Sequence, residues 1–178
     1  MDPQLFVWIV ARATGVAGYI ALCLSILSGI ALRTSVLDFL ATNRALRSLH
    51  DFMTWVWIPL GLAHAGSLLL DKTAQIAPLD LVVPFRVSYA PLAIGLGTLS
   101  LDIVAVITIT SWLRRRLDDR AWRWIHRASY VAFVTLFLHA LLSGTDFSSP
   151  LISSISWSAA LGIGLLAVSR IFFGRLPE

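Results

Sequence analysis

Apolar residues gather in five long stretches separated by short polar segments: about Leu5–Leu32, Leu49–Leu70, Ala90–Leu113, Trp124–Ser143 and Leu151–Phe173. Each supplies the roughly 20 mostly apolar residues that a helix needs to cross a hydrocarbon core about 30 Å thick. The pattern predicts an all-α integral membrane protein, a single domain over residues 1–178 built as a bundle of five transmembrane helices. The first stretch does not read as a cleaved signal peptide. Its start, MDPQLF, has no basic segment, Arg12 interrupts it, and it is too long for a signal core. Between the second and third stretches, IAPLDLVVPF is too short to span and is expected at the interface or capping the bundle, with Pro78, Pro84 and Pro91 punctuating that loop. No internal repeat or low-complexity tract interrupts the scheme.

Composition explains which solvent the pattern answers to. Hydrophobic residues make up 57% of the chain and charged ones 13%, and the mean hydropathy is +0.80. A soluble domain carries roughly 25% charged residues, so this chain cannot coat a water-facing surface. A soluble enzyme, a disordered chain and a disulfide-stapled module are excluded. The lone cysteine, Cys23, permits no internal disulfide and no cysteine metal cluster.

The net charge of +4 is a matter of topology rather than of nucleic acid, and no nucleic-acid partner is expected. Arg33, Arg44, Arg47, Arg114, Arg115, Arg116, Arg120, Arg123 and Arg175 fall on one side of the predicted bundle, nine in all; Lys72 and Arg86 are the two on the other. The positive-inside rule then places the N-terminus outside and the C-terminus in the cytoplasm, with spans two and four both running outward. Trp8 and Trp157 fall at the outer interface, and Trp112, Trp122 and Trp124 at the inner one, where indole rings prefer to lie. In span five, Ser158 with Gly162 and Ala160 with Gly164 have the spacing of close helix packing.

The four histidines lie on the two outward-running spans. His50 and His64 have 13 residues between them, and His126 and His139 have 12. At about 1.5 Å per residue the separations are roughly 21 and 20 Å. His50 and His126 therefore share a depth near the cytoplasmic face, and His64 and His139 share one near the outer face. Two matched imidazole pairs suit bis-histidine haem ligation, since a neutral imidazole nitrogen is an iron ligand. With no C-x-x-C-H, the haems would be non-covalent b-type. At about 100° per residue, His64 lies within about 40° of the face of His50, whereas His139 lies about 140° from that of His126. Tilt, a local bulge, or haems approaching from different sides must absorb this.

The arrangement resembles the ferric reductase-like transmembrane domain, a family that includes the core of NADPH oxidases and metalloreductases and the haem subunit of the bacterial methionine sulfoxide reductase system. LHDFMTWVWIPLGLAHAG (Leu49–Gly66) and TSWLRRRLDDRAWRWIHRASYVAFVTLFLHALLSGTD (Thr110–Asp146) carry the resemblance, through H-x13-H, H-x12-H and the context WxxIHRxSYxxF. DLVVPF and ARATG add to it. The resemblance implies transmembrane electron transfer through two haems b, with His50 and His126 on the inner iron and His64 and His139 on the outer. Five spans instead of the family's usual six would leave one peripheral helix missing and both haem-bearing spans intact.

Charges within a bilayer are costly and mark function by default. Two readings stand for Arg12 in span one: an ion bridge with Asp102 of span three, or neutralisation of an outer-haem propionate. Arg47, Arg123 and Arg127 flank the inner histidines and are candidates for the inner propionates, beside their topological role. Trp57, seven residues from both His50 and His64, and Phe133, near the midpoint of the other pair, are candidate inter-haem aromatics, beside plain packing. No GxGxxG follows a strand and only GRLPE follows Phe173, so the donor or acceptor is expected to be a separate redox subunit, a larger membrane complex, a surface flavin or a quinone. The arginine-rich Arg114–Arg123 loop is a candidate for docking an acidic partner or anionic lipid. The expected location is a bacterial cytoplasmic membrane. A structural haem subunit of a respiratory or photosynthetic complex is the alternative; a proton-relay permease is weaker, because only Asp102 stands in mid-membrane.

Overall fold

The computed structural model describes residues 2–35, 38–39 and 41–173. Six helices account for most of them: α1 (Pro3–Ala31), α2 (Asn43–Leu68), α3 (Pro91–Trp112), α4 (Asp119–Arg127), α5 (Ser129–Ser143) and α6 (Pro150–Phe173). No strand occurs among the described residues. α1, α3, the α4–α5 stretch and α6 are long and apolar enough to cross a membrane. α2 has the length, 26 residues, or about 39 Å at about 1.5 Å per residue. Its polar residues, among them Arg44, Arg47, His50, Asp51 and His64, dilute its apolarity.

Local chemistry explains the boundaries. α1, α3 and α6 each begin on a proline, which costs nothing in the first turn because that N–H has no helical partner. Asp118 caps α4 by accepting from the amides of Arg120 (2.9 Å) and Ala121 (3.0 Å). The hydroxyl of Thr42 does the same for Ala45 at 3.3 Å, so α2 starts six residues before the apolar stretch begins. The expected fourth span is interrupted. At Ala128 the amide turns back to the carbonyl of Ile125, three residues away rather than four, and separates α4 from α5 between the two histidines.

Burial does not sort by polarity as in a soluble protein, since many large apolar side chains face outward. Leu62, Leu92, Leu161 and Leu165 are all at least 60% exposed, while Ser25, Ser28, Ser100, Thr135 and Ser156 are buried. Hydroxyls within the apolar helices return their protons to helical carbonyls: Ser28 to Leu24, Thr54 to His50, Thr135 to Val131 and Ser143 to His139. Trp8, Trp112, Trp124 and Trp157 are all exposed, as interfacial indoles should be.

The chain forms two compact units, residues 9–64 with 150–173, and residues 2–8 with 65–149. In the first, α1 and α2 pack antiparallel, with the carbonyls of α1 meeting side chains of α2 (Ala11 with His64, Ser25 with His50). Ile163 of α6 is buried to 2%. Gly162 and Gly164 of α6 carry the small-residue spacing read from the sequence. A methyl group on either glycine would meet nothing within 4 Å among the described residues.

In the second unit α3 packs along α5, and the hydroxyl of buried Ser100 donates to the carbonyl of Ala132 at 2.9 Å. The loop before α3 is ordered rather than a plain strap. Pro78–Leu81 forms a 3-10 turn whose buried Asp80 accepts from the amide of Ala77 (2.8 Å) and pairs with Arg86 (3.5 Å). Leu79, Val82, Val83 and Phe85 of this loop remain exposed, a surface suited to the interfacial position expected for it.

Candidate haem-ligand histidines

His64 stands four residues before the end of α2, and its Nδ1 donates to the carbonyl of Ala11 on α1 at 2.8 Å. His50, 14 residues earlier on the same helix, donates from Nδ1 to the carbonyl of Ser25 at 2.7 Å. The histidines and their acceptors step by the same 14 residues in opposite directions, as an antiparallel helix pair requires. The hydroxyl of Ser25 lies 3.3 Å from both His50 Nδ1 and the hydroxyl of Thr54. In the other unit, His139 of α5 donates from Nδ1 to the carbonyl of Ala93 on α3 at 2.8 Å.

These bonds settle the chemistry of three imidazoles. A carbonyl only accepts, so Nδ1 carries a proton and donates it in all three. That is the arrangement of a metal-bound histidine whose second nitrogen is tied to the protein, which orients the ring and raises its basicity. All four rings are half-buried, neither sealed in the core nor fully exposed.

Each of the three acceptor carbonyls is followed, four residues later, by a glycine: Gly15 after Ala11, Gly29 after Ser25 and Gly97 after Ala93. A Cβ on Gly15 would come within 2.9 Å of His64, one on Gly29 within 3.2 Å of His50, and one on Gly97 within 2.7 Å of His139. In an α-helix the residue at i+4 sits over the carbonyl of residue i. Glycine there opens the carbonyl to a second donor from a neighbouring helix.

His126 is held differently. The register that sets His139 against Ala93 would set His126 against Val106, but four residues on stands Thr110, whose hydroxyl donates to that carbonyl at 2.7 Å. His126 instead stacks on Trp122, one turn earlier in α4, with centroids 5.0 Å apart and planes 25° from parallel. The Trp122 indole N–H donates to Ser111 (3.3 Å), and the Arg114 guanidinium lies 4.3 Å from the ring centroid.

The other expected residues take varied places. Arg12 is half-buried in α1 and Asp102 half-buried in α3. Arg47 and Arg123 are exposed, and Arg127 lies over Trp124 at 4.7 Å. Trp57 is half-buried. Phe133 is buried and stacked on Phe137 with centroids 6.3 Å apart. The Arg114–Arg123 loop is not uniformly basic: one groove there is lined by Arg114, Arg115, Leu117, Asp118 and Asp119.

Residues 14–137 match the family described as ferric reductase like transmembrane component. The chain belongs to that family. The match includes His50, His64 and His126 and stops two residues short of His139. Membership makes it an integral membrane protein of a class that points to transmembrane electron transfer and generally binds haem. No curated protein and no solved structure matches the chain. Among the described residues no three His, Cys, Asp or Glu side chains cluster to hold a bare metal ion. A ferric reductase like domain that takes up haem needs no such cluster, because the porphyrin brings four nitrogens and asks the protein for axial ligands alone. Gly15, Gly29, Gly97 and Trp122 were not evident as site residues. Their signal was present, since Gly15 and Gly29 repeat at the 14-residue interval of His50 and His64.

Proposed function

We propose that this chain is a cytochrome b that carries electrons across a membrane through two haems, as a single transmembrane haem-binding domain. His50 and His126 are the ligands of the inner iron, and His64 and His139 those of the outer. The observation that supports the reading is the shared tethering of His50, His64 and His139, each with Nδ1 donating to a backbone carbonyl of a neighbouring helix, the way a ligating imidazole is oriented through its second nitrogen. A histidine kept only for packing has no need of the same acceptor geometry at three places.

Haem bound there would supply a one-electron iron couple, and the protein supplies ligation, orientation and electrostatics. α1 and α3 fix the three tethered rings, and Trp122 braces the fourth. Arg12 offsets the propionate charge of the outer group; Arg47, Arg123 and Arg127 serve the inner one. Trp57 and Phe133 line the space between the two sites. α1, α2, α3, α4–α5 and α6 are the five spans, with the N-terminus outside and the C-terminus in the cytoplasm of a bacterial inner membrane. A separate redox subunit, or a flavin or quinone at the surface, gives or takes the electron.

The purified protein should show b-type bands in a dithionite-reduced-minus-oxidised spectrum and about two haems per chain by pyridine haemochrome. A folded preparation without colour would overturn the proposal.

A further inference from the structure

We propose that Gly15, Gly29 and Gly97 are positioning residues that tune the haem ligands, two of them serving the outer iron and one the inner. The inference rests on the haem reading above and adds residues that do not themselves ligate. Each glycine stands four residues after the carbonyl that receives a histidine Nδ1–H, and each would drive a Cβ against that imidazole, at 2.9 Å for Gly15, 3.2 Å for Gly29 and 2.7 Å for Gly97.

Glycine in a helix interior is unfavourable relative to alanine, so its use at all three carbonyls calls for a compensating role. The role is access. A helical carbonyl already accepts from the amide at i+4, and a missing side chain at that position opens its second lone pair to a donor from a neighbouring helix. The counter-example lies in the same molecule: where Thr110 stands at i+4, its own hydroxyl takes the Val106 carbonyl, and His126 is braced by Trp122 instead.

The consequence is an asymmetry between the two sites. His64 and His139 are both glycine-cradled and carbonyl-tethered, which holds both rings rigidly and makes both strong donors to iron. Of the inner pair, only His50 is held this way.

The test is a set of single alanine substitutions in the full chain, read by haem content, low-temperature EPR of the ferric state and redox titration. G15A and G97A should lower haem content from about two per chain to about one and keep the inner signal. G29A, with the looser contact, should retain both haems while shifting the EPR signal and midpoint of the inner one alone. G162A and G164A, where a methyl group meets nothing within 4 Å among the described residues, should match the unsubstituted protein. If G97A fails to fold, G29A and G15A decide the matter. Two haems with unchanged EPR and midpoints in G15A and G29A would overturn the inference and leave the haem reading standing. An unsubstituted protein without haem would overturn both.

Discussion

The Nδ1 of His64 lies 2.8 Å from the carbonyl oxygen of Ala11, a residue 53 positions earlier in the chain. The contact crosses from one helix to its antiparallel neighbour and fixes which nitrogen carries the proton. An unsatisfied polar group in the hydrocarbon region costs several kcal/mol. The bond therefore holds the ring's orientation firmly, with Nε2 the nitrogen that would ligate iron.

If His64 and His139 serve one iron, losing either should cost the same as losing both. H64L, H139L and the double variant should each retain about one haem per chain by pyridine haemochrome, and H50L, H126L and their double should behave alike. A cross-pair variant, H64L with H126L, should retain none. Residues acting as a unit are non-additive in this way. Loss of a second haem on adding H139L to H64L would break the pairing.

Arg12 should raise the outer midpoint, because a nearby cation disfavours the more positive ferric state. R12Q is expected to lower that midpoint by tens of millivolts, the order given by one screened charge at an effective dielectric of about 20. Potentiometric titration followed at the haem bands reads it. A shift confined to the inner haem, or an upward one, would remove Arg12 from this role.

Trp122 braces His126 through a ring stack of 5.0 Å. Aromatic pairs contribute about 0.5–1.5 kcal/mol beyond their burial. W122F should keep both haems, whereas W122L should broaden or weaken the inner haem's EPR signal and leave the outer one unchanged. Equal effects on both haems would show that the ring supports the fold in general.

Orientation has its own test. Cys23 is buried, so a C23S background is free of reactive thiols. Exposed Ser148 and Arg115 then serve as reporters. In intact cells an impermeant maleimide should label S148C and not R115C, and the reverse in inverted vesicles. Labelling of R115C from outside would invert the topology.

The apolar runs and their proline starts made the helices readable, because the span length and the missing amide of proline are properties of sequence alone. Helix ends were less so. α2 reaches back to Asn43 and α4 to Asp119, since Arg44, Arg47, Arg120 and Arg123 suit a helix in water as well as any apolar residue suits one in lipid. The break at Ala128 has no proline or glycine to announce it. It falls between His126 and His139, the pair whose 13-residue step did not fit a straight helix. The depths of the four histidines were legible; the glycines beside three of them were not. A glycine that admits an imidazole and one with nothing within 4 Å among the described residues, as at Gly164, look alike until the neighbouring helix is in place.

Electron passage across the membrane through this chain is measured directly in proteoliposomes. Vesicles loaded with ferricyanide and holding the protein with both haems are given an impermeant reductant outside. The trapped ferricyanide should bleach in step with protein content, and the bleaching should be abolished in H64L and in H50L. Haems that reduce fully from outside while the trapped acceptor stays oxidised would contradict it and leave the chain a structural haem subunit.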